Sequence, residues 1–506
     1  MHLDIPRRQY PQIKLLLQYV KWSLLGVFGP ELVVYVAWRQ LNSARTLRGI
    51  VRTALAELEP DEEEGEKSVA DTRLEREGEW SDVHGFYAGM GGFVFDFEKG
   101  RPLELASCLP DLERLTLTAR GVALLAKCGH LPEITRRQIE DKSKSDHLAK
   151  TLIILQATWF LIQIVGRLAQ HLPVTLLEVN TIAHIFCLFL VYLLWWNKPA
   201  LIAEPTHLVG DWVPPIAAYM YMSSQISIWE RDRPGTARRE WLDSELAALA
   251  FVKTVPEENN AADGDTTSSE VDPEQAGPLD HGEFRPRQQI TSLAGSGPVN
   301  DSPLAKSFLK VVNPSHTDYQ RWTLAAQAVR QYPAIAARFK RTTSANIGRI
   351  TLEPETEELV MENSSTWPAE HLLRGTGGKI MGMILWSASI AFGGIQLTAW
   401  KIDFPTIAEA WLWRASALWI ATSGFIWFTI NGLGHYFTWV ENLWTDVVKM
   451  KANKLMMAFL VTLASICGGA YVFSRGFLVV EAFISIRALP KGAYDTPDWS
   501  QLIPHL

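Results

Sequence analysis

The stretch LLEVNTIAHIFCLFLVYLLWW, Leu176 to Trp196, decides the fold. Its one charge, Glu178, lies near one end, His184 lies deeper, and two tryptophans close it. About 20 residues at 1.5 Å rise cover about 30 Å of hydrocarbon, and a helix satisfies its own backbone there. The stretch therefore predicts a membrane span, with Trp195 and Trp196 at headgroup level.

Working outward, four more runs have the same character. Leu148 to Leu168 precedes it across a turn with His171 and Pro173, and is charged only at Lys150 and Arg167. Ile380 to Trp400 is uncharged and rich in Gly and Ser, Ala415 to Thr438 has His435 as its one ionisable group, and Leu455 to Ser474 is uncharged. A weaker run, Leu15 to Trp38, contains Lys21, a Gly29-Pro30 break and Glu31. Arg475 reads as a snorkelling end residue, as does Arg414. Gly476 to Leu489, interrupted by Glu481 and Arg487, reads as a surface-lying or partly inserted helix rather than a seventh full span.

The expected fold is an all-α integral membrane protein of about six transmembrane helices, with small α/β or mainly helical cytosolic insertions and disordered loops. The first span covers 15–38. A cytosolic region follows at 39–149, with an acidic flexible insert at 57–79, and residues 148–196 hold the second and third spans. A second cytosolic region covers 197–377, with a disordered segment at 255–302. Residues 380–474 hold spans four to six, and 476–506 form an interfacial helix and C-terminal tail.

The whole-chain averages conceal this layout: mean hydropathy is +0.01, blending apolar helices with charged connections. A net charge of −7 favours no nucleic-acid partner. Four cysteines without paired spacing make neither a disulfide framework nor a zinc site, and no motif calls for a cofactor.

Orientation follows the positive charges. Arg39, Arg45, Arg48 and Arg52 follow the first span, Arg136, Arg137, Lys142, Lys144 and Lys150 precede the second, and Lys449, Lys451 and Lys454 separate the fifth from the sixth. The long loops are thus expected to be cytosolic and the short turns extracytosolic. Arg7, Arg8 and Lys14 would then face outward, against that rule.

Within the first cytosolic region, Trp80 to Leu105 alternates loosely and suggests short strands, Leu115 to Leu117 another, and helices are expected at Thr118 to Cys128 and Pro132 to Ser145. In the second, Ile216 to Phe251 and Asp318 to Tyr332 read as helical, the latter from Trp322, Ala325, Ala326 and Val329 at helical spacing.

His84-Gly85 with Gly89, Gly91 and Gly92 lacks the spacing of a phosphate loop, so these glycines are expected to serve turns and close packing. Asp82, His84 and Asp96 could form a polar cluster. The two helices around Gly129 superficially resemble a helix-turn-helix, but the second is as acidic as a surface helix usually is, and it leads straight into a span. Ionisable groups inside spans weigh more, because burying them is costly unless they are paired or wetted. The candidate intramembrane polar site is Glu178, Asn180 and His184 on the third span, with Asn431 and His435 on a polar stripe of the fifth. No catalytic, cofactor-binding or metal residue is assigned.

The runs WSLLGVFGPELVVYVAWRQ (Trp22 to Gln40), HGFYAGMGGF (His84 to Phe93), LPEITRRQIEDKSKSD (Leu131 to Asp146), LLWWNKP (Leu193 to Pro199), AWKIDFPTIAEAWLWR (Ala399 to Arg414) and the tail from Arg487 to Leu506 appear in order. Together they resemble blocks of a large family of uncharacterised fungal multi-pass membrane proteins. The resemblance implies no substrate, cofactor or catalytic residue. It implies a further apolar segment before the HLDIP stretch. It also implies a histidine where this chain has Gln396.

Three functional classes follow. The sequence favours a membrane-anchored interaction or sensor protein, whose partners would be the lipid bilayer and cytosolic proteins. A small-molecule transporter or channel of unknown ligand is the alternative, and an embedded enzyme acting on a lipid or terpenoid fits least.

Overall fold

The computed structural model describes residues 12–58, 80–96, 114–143, 147–199, 202, 204–224, 226, 316–339, 359–361, 378–437 and 454–495. In chain order, helices α1 (Gln12–Phe28) and α2 (Pro30–Ala56) come first. Then follow α3 (Asp82–Gly89), strands β1 (Phe93–Asp96) and β2 (Arg114–Leu117), α4 (Ala119–Lys127) and α5 (Arg136–Lys142). Two apolar helices, α6 (His147–Ala169) and α7 (Leu176–Leu194), lead to β3 (Thr206–Leu208), α8 (Val213–Met222), α9 (His316–Gln331) and β4 (Val360–Met361). The chain closes with α10 (Gly378–Leu397), α11 (Ile407–Tyr436) and α12 (Lys454–Ile484).

Four segments among the described residues are long and apolar enough to cross a membrane: Lys150–Ala169, Leu176–Leu194, Gly382–Lys401 and Val461–Ala488. The bent pair α1–α2 makes a fifth if it is one span. About six were expected, and the difference lies at two places. Pro30 disfavours helix at the residue before it and suits the first turn of a new one, so the first run breaks at Gly29 with a bend of 114°. Helix α11, the expected fifth span, is 30 residues long but is not among those four segments; Glu409 and Arg414 lie in its first half.

A second correction concerns the C-terminal end. The expected surface helix after Arg475 is not separate: α12 runs unbroken through Arg475 to Ile484 and tightens into a 3₁₀ turn at Ser485–Ala488. Arg475 does not snorkel, being only 4% exposed. Its charge is matched inside the bundle, so the helix need not end there.

Small residues let α10 and α11 approach closely. A Cβ at Gly393 would lie 2.6 Å from the Ala421 nitrogen. Such contacts are the usual basis of helix association in lipid. Helix α7 packs on both α2 and α10, with Val34, Ala183, Cys187, Ala388 and Phe392 in one apolar cluster.

The two long connections build one sheet rather than two separate units. Its order is β3-β1-β2-β4, with β1 antiparallel to β2 and parallel to β3, and β2 antiparallel to β4. Phe95 faces Leu115 and Leu208, so strands from both regions share a core with α3, α4, α8 and α9. The C-terminal half of α2 enters that core through Leu47, Val51 and Ala54. One helix therefore belongs to both the bundle and the sheet domain.

Residues 82–89 form a helix where strands were expected. The N–H of Ser81 donates to His84 Nδ1 at 3.1 Å, and Gly85 lets α3 lie on α2, since a Cβ there would meet the Ala44 carbonyl oxygen at 2.4 Å. The strand at Leu115–Leu117 and the helix after Thr118 are as expected; Gly121 donates to the Thr118 hydroxyl that caps α4. Helix α5 starts later than Pro132, because Thr135 and Gln138 form its capping box. The helical stretch after residue 226 and the segment 255–302 lie outside the described residues, as do 59–79 of the acidic insert.

Candidate functional site: a buried polar network beside the helix break

The break at Gly29-Pro30 starts a new helix inside apolar surroundings, and Glu31 is in its first turn. A carboxylate there complements the positive end of the helix dipole. Glu31 is 2% exposed, and one of its oxygens accepts from the Arg475 guanidinium of α12. Its other oxygen accepts from Tyr471 at 2.8 Å. Because the single phenolic proton goes to Glu31, the Ser389 hydroxyl of α10 must donate to Tyr471, also at 2.8 Å. The guanidinium also lies 3.6 Å from the centre of the Phe392 ring, while its Nε has no partner. Removing one member of such a buried pair leaves an uncompensated charge, at a cost of about 3–5 kcal/mol.

One layer away, Gln396 of α10 donates from Nε2 to Asn180 Oδ1 of α7 at 2.8 Å. The Gln396 Oε1 is buried without a partner, and its backbone carbonyl accepts from Trp413 Nε1 at 3.3 Å. On α7, His184 Nδ1 is 2.8 Å from the Asn180 carbonyl and Nε2 is 2.9 Å from the Val27 carbonyl at the end of α1. The ring meets Phe392 edge-on. Phe392 is thus shared by His184 and Arg475.

The expected site residues do not make one site. Glu178 is a cap: its carboxylate accepts from the Thr175 N–H at 2.7 Å and hydroxyl at 3.0 Å, with Arg167 at 3.7 Å. Arg167 in turn binds the carbonyls of Pro173, Ala493 and Asp495, tying the C-terminal segment to the α6–α7 turn. Asn431 donates to its own helix at Trp427 O, with its amide against Gly382 of α10. Gly382 and Gln396 are fourteen residues apart on α10, about 21 Å of rise, so Asn431 and Asn180 sit at different depths. The His435 side chain lies outside the described residues.

Sequence reasoning missed Glu31, Arg475, Tyr471 and Ser389. A signal existed: two opposite charges, each inside an apolar run, are more cheaply buried together than apart.

In the sheet domain, Asp82, His84 and Asp96 have separate partners. Asp82 pairs with Arg48 at 2.8 Å, and Asp96 with His207 at 2.9 Å. His84 stacks on Trp80 and reaches the Ile134 carbonyl at 2.8 Å. Burial holds its pKa below the ordinary value of 6.5. The Tyr87 hydroxyl, 2.8 Å from Thr206, is pushed up to about 12 by burial. Among the described residues, no group of three or more His, Cys, Asp or Glu is placed to hold a metal ion.

These features define a largely helical, membrane-associated protein with a small mixed sheet. The chain belongs to the Family of unknown function (DUF8562), whose sequence pattern matches residues 1–233 and 379–506. No curated protein and no solved structure matches it.

Proposed function

We propose that this protein is a membrane-anchored sensor or interaction protein, in which α2 couples the bundle to the sheet domain. The observation that carries this reading is the double membership of α2. Glu31 at its start binds Arg475 in the bundle, and Val51 and Ala54 near its end lie in the sheet core. Between them, Gln40 accepts from the buried Lys198 at 3.0 Å, and Ala44 packs on Gly85. A stiff element anchored at both ends can pass a change at one end to the other. The positive charges flanking the long connections support a cytosolic sheet domain.

The test is hydrogen exchange in lipid nanodiscs. Glu31→Gln should change protection in α3 and β1–β2, far from the substitution. Unchanged protection there would reject the coupling.

A second reading, a transporter or channel, is favoured by the broken helix beside a buried ion pair, because such features border ion and substrate paths in many carriers. Proteoliposomes loaded with a pH-sensitive dye separate the two. Proton flux that Glu31→Gln abolishes would favour the transporter; wild-type vesicles as tight as empty ones favour the sensor.

A further inference from the structure

We propose that His184 is a proton-binding site that latches α1 against the bundle at the helix break. The argument is one of donors and acceptors. A backbone carbonyl can only accept, and a neutral imidazole has one N–H and one bare nitrogen. His184 places both ring nitrogens on carbonyl oxygens, Nδ1 on Asn180 at 2.8 Å and Nε2 on Val27 at 2.9 Å. A neutral ring therefore fills one bond and turns a lone pair on the other oxygen. Only the imidazolium, with two N–H groups, makes both.

His84 supplies the contrast within the same chain. Its Nδ1 faces the Ser81 N–H, a donor, and its Nε2 faces the Ile134 carbonyl, an acceptor. That pair of partners fits a neutral ring with the proton on Nε2. At His184 both ring nitrogens face acceptors instead.

The position suits a cation. Val27 is the penultimate residue of α1, where the last carbonyls of the helix have no partners within it. The negative end of the α1 dipole points there, and a positive charge within the last turn is favourable. Other charged groups on the packed elements are engaged or turned away. Glu31 of α2 and Arg475 of α12 satisfy each other, with Tyr471 bonded to the same carboxylate. Glu178, on the same helix, is capped by Thr175 and approached by Arg167. Lys21 of α1 is exposed, and α10 offers the uncharged Phe392 ring. With the neutral ring's proton on Nδ1, toward the Asn180 carbonyl of its own helix, binding a second proton at Nε2 forms a bond between α7 and α1 and leaves the Glu31–Arg475 pair intact. Releasing it to water frees the end of α1. The site rests on the two contacts of the ring and stands whether or not α2 carries a signal.

The experiment is nitrogen NMR of ¹⁵N-histidine-labelled protein in nanodiscs, with His184 assigned by its absence in His184→Gln. Hydrogen exchange of the α1 amides, corrected for intrinsic rate, is followed in parallel between pH 5.5 and 8. The proposal expects both His184 nitrogens at the imidazolium position in the acidic samples, α1 protection that falls as pH rises, and loss of that dependence in His184→Gln. A single-proton tautomer throughout the range would overturn it, as would the same α1 response in the variant. Should His184→Gln fail to fold, specific labelling of His184 in the unaltered protein decides the question by protonation state.

Discussion

Gln396 and Asn180, 216 residues apart in sequence, share one amide–amide hydrogen bond of 2.8 Å that joins α10 to α7. Both residues are buried, so the bond has no water to replace it. Gln396→Leu should destabilise the protein by about 1–3 kcal/mol, because it leaves Asn180 Oδ1 unsatisfied. The double variant Gln396→Leu/Asn180→Leu should lose less than the sum of the two singles, since removing both partners removes the orphan. Thermal unfolding of the four proteins in one detergent measures this directly. Gln396→His, the residue that the family resemblance implies, retains a donor and should be tolerated better than Gln396→Leu.

The Glu31–Arg475 pair should behave more steeply. Glu31→Leu or Arg475→Leu alone should cost about 3–5 kcal/mol, while the pair changed together should recover a large part of that loss. A double variant that loses the sum of the two single losses, read by thermal melting, would mean that the charges act independently.

Arg167 is a clamp rather than a ligand group. Its guanidinium serves the Pro173, Ala493 and Asp495 carbonyls at once, a spread that an ammonium cannot cover. Arg167→Lys should therefore expose the segment after Leu489 to protease while the bundle stays folded. Limited proteolysis followed by mass spectrometry locates the cut.

His84 predicts a pH dependence in the sheet domain. Burial lowers its pKa in the folded state, so the unfolded chain binds more protons once pH falls below about 6.5. Its stabilising contribution is complete above that value and declines as pH falls through the window beneath it. Segment-resolved hydrogen exchange of α3 should show protection falling on acidification, and His84→Gln should flatten the response.

Orientation can be checked with the sequons at Asn300 and Asn363, both outside the described residues. A cytosolic loop leaves them unmodified, so endoglycosidase should not change gel mobility. A shift mapped to either site would reverse the assignment.

The helices at Leu176–Leu194 and Gly382–Lys401 were legible because their signal is local: a run of apolar residues long enough to span. The helix start at Thr118 lies where the sequence placed it. Helix α3 was not, since its glycines weaken local helix propensity and their use appears only against the Ala44 backbone of α2. Nor could the parallel pairing of Phe93 with Thr206 be seen, because nothing in either short segment names the other. Half of the candidate site was visible as Asn180 and His184, polar residues in an apolar run. The other half was hidden because Glu31 looked like a flaw in a weak span and Arg475 like the end of another, until the fold brought them together across 444 residues.

The central claim is that α2 joins the bundle to the sheet domain, and coupling of that kind must work in both directions. Ala44, where Gly85 packs, lies thirteen residues beyond Glu31, about 20 Å along the helix. The most direct test is hydrogen exchange on Gly85→Ala, whose added Cβ would press on the Ala44 carbonyl at the sheet end of α2. The account predicts altered protection in α12 around Tyr471 and Arg475, with both domains still folded. A response confined to α3 and the adjoining turn of α2 would contradict it.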